Sequence, residues 1–192
     1  MALNPFSMPA TQPHVGFSCW SESVRVHSMT APEFIDLTDE VERVVQQSAV
    51  TEGLAVVFSR HTTAAITINE DEPLLLEDMA AFLEQVAPRA ATYRHNDFTV
   101  RTVNMTDDES PNGHAHCLQL MLGASQTIPV RDGCLALGRW QRIFLVELDH
   151  ARPREAVVQA FGLTRRGVAP APVELARNGT RRRPRNSRAA RR

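Results

Sequence analysis

The sequence predicts an α+β fold in which antiparallel β-sheets pack as a sandwich, with two main helices in the first half of the chain. The 192 residues are 43% hydrophobic, which is enough for one buried core. Two segments have the three- and four-residue apolar spacing of amphipathic helices. Several short apolar segments are separated by turn residues, a pattern that is typical of antiparallel sheets packed face to face.

The first half of the chain begins with a predicted strand and contains both predicted helices. Weak alternation of apolar residues over 17–29 predicts the strand. Asp36 and Thr38 are good capping residues before a first helix. Pro73 suits the first turn of a second helix, which Pro88 ends. The residues expected on the buried faces of the two helices are Val41, Val44, Val45 and Ser48, then Leu75, Met79, Phe82 and Val86.

Between the helices the chain is expected to be extended. Residues 54–58 are strand-like, and polar residues alternate with mostly apolar ones over 59–69. Because successive side chains of a strand point to opposite faces, His61, Thr63 and Asn69 would share one face. The sequence therefore predicts a polar, functional strand face here.

The second half is predicted to contain a polar loop followed by short strands. Residues 93–112 are rich in Asn, Asp and Thr, which is typical of an exposed loop. Residues 114–122 are expected to form a strand, on which His114 and His116 would point in the same direction. The remaining strands are expected at 127–130, 134–137 and 143–148.

The charge distribution divides the chain into an acidic body and a basic tail. The net charge is −1, yet residues 164–192 contain ten arginines and one acid. We expect a flexible extension at 1–15, one domain at 16–163 and a disordered Arg-rich tail at 164–192, because the tail lacks large apolar side chains. All 21 basic residues are arginine, which excludes mechanisms that use a lysine nucleophile.

The three cysteines and the apolar segments indicate the compartment. An odd number of cysteines with no CxxC pair argues against a disulfide framework and against a cysteine zinc site. The N-terminal segment lacks the pattern of a signal peptide, and no apolar stretch is long enough for a membrane span. We expect a cytoplasmic protein with no membrane contact.

Three histidines from separate segments are the candidate catalytic residues: His61, His95 and His116. Imidazoles combined with the carboxylates of Glu70 and Asp78 suit acid–base chemistry near neutral pH or binding of a divalent metal. A surface or structural role for each histidine is the alternative. Small residues, an arginine and an amide around 138–141 suit a phosphate cradle, although Trp140 could equally be a core aromatic residue.

A series of spaced segments resembles the YjbQ-like family. In order, these are HTTAAITINE at 61–70, DM at 78–79, YRHND at 93–97, NGHAH at 112–116, LGAS at 122–125 and GCLALGRWQ at 133–141. The resemblance covers about residues 17–162 and implies a mixed α/β fold with antiparallel sheets and a homotrimer. This sequence departs from the family pattern where Asn96 separates His95 from Asp97.

The residues and the resemblance together predict three sets of site residues. The catalytic set is His61, His95, His116 and Glu70. The substrate-binding set is Thr63, Asn69, Ser125, Arg139, Trp140 and Gln141. The metal set is His61, His95, His116 and Asp78, for a divalent Mg or Zn ion.

The resemblance implies thiamine-phosphate synthase as a secondary activity. That reaction joins a hydroxymethylpyrimidine diphosphate to a thiazole phosphate and releases diphosphate. A divalent ion and arginines such as Arg60, Arg139 or Arg142 would stabilise the leaving diphosphate. Two alternatives stay open: a metal-dependent hydrolase of phosphate esters, and a non-catalytic trimeric binding protein whose tail binds nucleic acid or another polyanion.

Overall fold

The computed structural model describes residues 15–165, and the statements below refer to that part of the chain. The elements are β1 (Val15–His27), β2 (Glu33–Asp36), α1 (Thr38–Ser48), β3 (Glu52–Ser59), β4 (Ala64–Glu70), α2 (Pro73–Val86), the 3₁₀ turn η1 (Arg94–Asn96), α3 (Gly113–Leu122), β5 (Ser125–Arg131), β6 (Cys134–Leu135), β7 (Gln141–Glu147) and β8 (Pro153–Arg165). Val15 already belongs to β1, and β8 runs past the predicted domain end at 163. The rest of the predicted extension and tail lies outside the described residues.

Two antiparallel sheets enclose the main core. One sheet has five strands in the order β1-β8-β3-β5-β6, and the other has three in the order β2-β7-β4. Val57 and Val158 from the first sheet meet Ile66 and Leu145 from the second in one buried cluster, which also includes the apolar face of α1. The predicted fold of packed antiparallel sheets with helices is therefore confirmed.

Helix α1 forms as its sequence predicts. The Asp36 carboxylate accepts hydrogen bonds from the backbone N–H and the hydroxyl of Thr38, which satisfies a donor in the first turn. Val41, Val44 and Val45 are buried, as their spacing predicts.

Helix α2 begins at Pro73 and ends before Pro88 as predicted, but the expected buried stripe is wrong. Phe82 is 59% exposed and Val86 is also exposed, whereas Leu83 is buried, with Leu76 packed against the same second core cluster. The helix is apolar on more than one side, so periodicity alone did not select the buried face. None of the helices within residues 15–165 is long and apolar enough to span a bilayer.

The strand predicted at 114–122 is a helix, α3. Its sequence is apolar in almost every position after His116, and such a run fits a buried strand or a helix equally well. Two further strands, β2 and β8, were not predicted. In β8 the residues that face the core are Ala156, Val158 and Ala160, whose small side chains give only a weak alternation signal.

The outer face of the five-stranded sheet is apolar and uncovered within residues 15–165. Leu54 and Phe58 on β3 and Leu163 on β8 are exposed there. Between β3 and β8, this face contains a groove of about 330 Å³, lined by Val56, Phe58, Arg60, Val157 and Gln159. We call it the open sheet face below.

Candidate functional site

His61, His95 and His116 line one cleft of about 460 Å³. The three residues come from different segments of the chain: the turn between β3 and β4, the 3₁₀ turn η1, and the first turns of α3. The rest of the lining is polar and comprises Arg60, Thr62, Thr63, Arg101, Asn104, Glu109, Asn112, Arg152 and Arg154. The structure thus brings together the three histidines that the sequence singled out.

The docking of η1 on the start of α3 places His95 beside His116. The side-chain oxygen of Asn96 accepts a hydrogen bond from the Gly113 N–H at 2.8 Å. A Cβ at position 113 would lie 2.6 Å from the Cβ of Tyr93 and 2.8 Å from its ring atom Cγ, so glycine is needed for this approach. The rings of His95 and His116 meet edge to face, with centroids 4.6 Å apart.

His116 faces the cleft, whereas His114 does not line it. On a helix, residues two apart point about 200° apart, so the expectation that both histidines share one face is wrong. His114 is 2% exposed and lies beside the Tyr93 ring.

His61 lies in the turn that joins β3 to β4, before the strand begins. It therefore does not share a strand face with Asn69, contrary to the expectation from alternation over 59–69. Its Nε2 accepts a hydrogen bond of 2.9 Å from the backbone N–H of Glu155 on β8. The hydroxyl of Ser59 accepts from the His61 N–H and donates to the Ala64 carbonyl, which fixes the turn.

A buried ion pair forms one wall of the cleft. The Arg154 guanidinium donates to both carboxylate oxygens of Glu147, and to the hydroxyl of Thr63 at 2.9 Å. Glu147 also accepts from the Ser28 hydroxyl and the Asp149 N–H. Burial by itself raises the pKa of Glu147, but these hydrogen bonds and the Arg154 charge outweigh it, so the pKa lies below its usual value.

Each arginine of the cleft has a carboxylate partner within the described residues. The ion pairs are Arg60–Glu155 at 2.9 Å, Arg101–Glu109 at 3.3 Å, Arg152–Asp149 at 2.5 Å and Arg154–Glu147 at 2.6 Å. A guanidinium carries five N–H donors, so such pairing leaves donors that can bind an anion. The carboxylates hold the arginines in place before any ligand arrives.

Several polar atoms around the cleft are buried without a hydrogen-bond partner among residues 15–165. They are His95 Nε2, Asn112 Oδ1 and Arg152 Nε. Buried polar groups in folded proteins are nearly always paired, and exceptions call for a specific explanation. These three atoms can form hydrogen bonds with a polar ligand in the cleft.

His61 and His116 are predominantly neutral near pH 7. Burial lowers the pKa of His61, and the nearby Arg154 charge lowers it further. Burial likewise lowers the pKa of His116, with additional contributions from His95 and Arg101. A neutral imidazole has one nitrogen that accepts a proton and one that donates a hydrogen bond.

Seven predicted site residues lie away from the histidine cleft in this chain. The register of β4 with β7 pairs Ala64 with Glu147 at the end near the cleft, and Glu70 with Gln141 at the other end. Six residues of extended chain separate these ends by about 20 Å. The residues that do not line the cleft are Asn69, Glu70, Asp78, Ser125, Arg139, Trp140 and Gln141.

The predicted metal ligands do not fit a metal site within one chain. Asp78 is exposed on α2 and does not line the cleft, and His61 Nε2 is already bound to a backbone N–H. Residues 15–165 contain no group of three or more His, Cys, Asp or Glu side chains arranged to hold a metal ion.

Sequence reasoning missed several polar residues around the cleft, among them Glu147, Arg152 and Arg154. The available signal was the segment 147–155, where acids and arginines follow an apolar strand. Buried charges are rarely found without a partner, so charges next to a core strand predict ion pairs. Asn96, which appeared only as a departure from the family pattern, secures η1 to α3.

Comparison with known proteins agrees with this fold and assigns no chemistry. Residues 22–163 match the family model described as UPF0047 protein YjbQ-like. A UPF0047 protein of Archaeoglobus fulgidus is 41% identical over 129 residues, covering 67% of this chain and 91% of that protein. The UPF0047 protein YugU of Bacillus subtilis is 32% identical over 142 residues, covering 73% of this chain and 98% of that protein.

Solved structures show the same relationship. The crystal structure of a YbjQ-like protein of unknown function from Sulfolobus solfataricus matches with a TM-score of 0.69 at 33% identity. The match covers 77% of this chain and 99% of that one. A family model over most of the chain, together with relatives of this identity and coverage, establishes the family: this chain belongs to the YjbQ-like UPF0047 family.

Proposed function

We propose that the histidine cleft binds a phosphorylated small molecule and catalyses a thiamine-phosphate synthase-like transfer, as a secondary activity. The observation that carries this proposal is the convergence of three histidines and four arginines on one cleft. Arginine is suited to phosphate because its planar fork of donors matches phosphate oxygens. The family resemblance supplies the particular reaction.

In this reaction the thiazole nitrogen forms a bond to the methylene carbon of the pyrimidine as the carbon–oxygen bond to diphosphate breaks. The bonding electron pair leaves with diphosphate, so negative charge builds up on its oxygens. Arg101 and Arg152 line the cleft and are held by carboxylates, so they are placed to stabilise that charge. Of the arginines expected from sequence to do so, Arg60 lines the cleft and Arg139 and Arg142 do not.

The His116 ring, which lies against His95 in the cleft, suits a hydrogen bond to the departing diphosphate during this step. The step releases no proton, because the thiazole nitrogen attacks through its lone pair. Burial lowers the pKa of His116, and its neutral imidazole keeps one N–H that can donate to a diphosphate oxygen. This contribution of His116 requires no residue from a second copy of the chain.

We also propose that the protein acts as a homotrimer in the cytoplasm. The open sheet face exposes Leu54, Phe58 and Leu163 around an apolar groove, and a second copy of the chain would cover them. The three free cysteines are consistent with a reducing compartment.

Complementation tests the function. Expression of the protein should restore growth without thiamine to a strain that lacks thiamine-phosphate synthase, and His95→Ala or His116→Ala should abolish this growth. His27→Ala, at an exposed position on β1, is the matched control. Full growth with both cleft variants would refute the site.

A biochemical assay separates the transfer from the hydrolase alternative. The purified protein should form thiamine phosphate and diphosphate in equal amounts from the two substrates. Hydrolysis of phosphate esters without formation of the carbon–nitrogen bond would contradict the proposed reaction and favour a hydrolase.

A further inference from the structure

The ring of His61 is held in one orientation by the end of a sheet ladder. The β3–β8 pairing ends at Ser59 with Ala156, so the next amide of β8, that of Glu155, has no strand partner on this side. His61 Nε2 accepts from this N–H at 2.9 Å in place of a backbone carbonyl. The imidazole thus takes the place of the strand carbonyl that would otherwise accept from the Glu155 N–H.

This contact determines which ring nitrogen carries the proton. A backbone N–H can only donate, so Nε2 must present its lone pair. In a neutral ring the proton then resides on Nδ1. Nδ1 makes no hydrogen bond to any residue within 15–165, and the ring lines the cleft.

The surroundings oppose a second proton on the ring. Protonation at Nε2 would bring two N–H donors face to face and break the contact with Glu155. Burial and the Arg154 charge also disfavour a second proton, because both lower the pKa of His61. The charged groups that act on the ring are Arg154, Glu147, Glu155 and Arg152.

We propose that His61 is a fixed hydrogen-bond donor: the Glu155 amide holds its ring in the Nδ1–H tautomer, and Nδ1 donates to an oxygen of the phosphorylated ligand. The identity of that ligand rests on the proposed function, whereas the tautomer does not. His61 is therefore a binding residue of the cleft, separate from the pair formed by His95 and His116.

Two substitutions test the roles of the two ring nitrogens of His61 separately. Asparagine places its amide N–H₂ close to the position of Nδ1, but it cannot reach the Glu155 amide. Glutamine extends to the position of Nε2, where its oxygen can accept from Glu155, but it offers no donor at the Nδ1 position. If Nδ1 is a donor to the ligand, His61→Asn should reduce ligand affinity less than His61→Gln. If His61 has only a structural role, His61→Gln should reduce ligand affinity less than His61→Asn.

Binding of inorganic diphosphate, measured by calorimetry on the full-length protein, tests the donor. We expect His61→Gln to weaken binding roughly 10-fold or more, as for loss of a hydrogen bond to a charged group, and His61→Asn to weaken it less. Equal affinities of the wild type and His61→Gln, or a larger loss in His61→Asn, would overturn the donor role.

Long-range ¹⁵N–¹H correlation NMR on histidine-labelled protein tests the tautomer without any ligand. The expected spectrum has the His61 proton on Nδ1 at pH 7.5, identified by loss of the signal in His61→Gln. A proton on Nε2, or on both nitrogens, would overturn the inference. If the tautomer is as expected but the wild-type protein neither binds diphosphate nor forms thiamine phosphate, the proposed function fails, and the donor role to a phosphorylated ligand fails with it.

Discussion

Glu147 and Arg154 form a two-point ion pair in which Nε and Nη2 of the arginine each lie 2.6 Å from a different carboxylate oxygen. The pair is nearly inaccessible to solvent, with side-chain exposures of 0% and 3%. It joins β7 to β8, and through Thr63 it reaches the turn that carries His61. One buried contact therefore supports both the sandwich and the histidine cleft.

Removal of one partner of this pair should strongly destabilise the protein. In Arg154→Met the Glu147 carboxylate stays buried without its counter-ion, and we expect a loss of about 3–5 kcal/mol in the free energy of unfolding. Urea denaturation followed by circular dichroism measures it. The double variant Arg154→Met with Glu147→Gln should lose less, because no buried charge is left unpaired.

The exposed pair of Arg43 with Glu22 provides the matched control. Their side chains are 43% and 35% exposed, so Arg43→Met should cost less than about 1 kcal/mol. A similar loss for Arg43→Met and Arg154→Met would show that the buried pair has no special role.

Stability should fall as the pH decreases below neutrality. Burial lowers the pKa of His61, His114 and His116 in the folded state. Below the unfolded-state pKa of about 6.5, the unfolded chain therefore takes up protons that the folded chain does not, which favours unfolding. The pKa of Glu147 and Asp149 is also lowered, since hydrogen bonds and nearby positive charges outweigh burial, so a second loss should follow below about pH 4.

Urea midpoints between pH 8 and pH 5 check this dependence. We expect nearly constant values at pH 7.5 and above, and a continuous decrease from pH 7 to pH 5. His114→Gln should flatten part of this decrease, because one buried imidazole is removed. Midpoints that rise as the solution is acidified would contradict the assigned directions.

A charge on the open sheet face should dissociate the proposed trimer. In Val56→Asp a carboxylate would be buried without a partner if another copy of the chain covers the groove, which is unfavourable. Light scattering during gel filtration should show a trimer for the wild type and a monomer for the variant. Gln85→Asp is the control, at an exposed position on α2, away from this sheet face. A wild-type monomer would refute the trimer.

The arginine-rich segment should bind polyanions independently of the cleft. Residues 166–192 contain nine arginines and one acid, so the intact protein should bind duplex DNA with an affinity that falls steeply with salt. Deletion of 166–192 should abolish this binding in a fluorescence anisotropy assay and leave diphosphate affinity unchanged. Unaltered DNA binding after the deletion would exclude the segment as the binding element.

The features that local patterns could predict were those with strong local causes. The spacing of Val41, Val44 and Val45 predicted α1 and its buried face, because only a helix places these positions together. Pro73 and Pro88 predicted the limits of α2, since proline has definite steric preferences at helix ends. The same patterns predicted a packed antiparallel β fold and selected the histidines as candidates.

Tertiary structure decided what local patterns leave open. The run after His116 could form a strand or a helix, and only packing of α3 against β4 and η1 selects the helix that turns His116 towards His95. The Arg154 contact with Thr63 spans 91 positions, and the contact of Glu155 with His61 spans 94. By itself the sequence determined the start of α1, the limits of α2 and the choice of the three histidines that meet at the cleft, because these depend on side-chain type and neighbours along the chain. The pairing of distant strands decided which nitrogen of His61 binds the Glu155 amide, which charges are buried together and which predicted residues stay apart. Such pairing depends on contacts between segments far apart in the chain, which no local segment encodes.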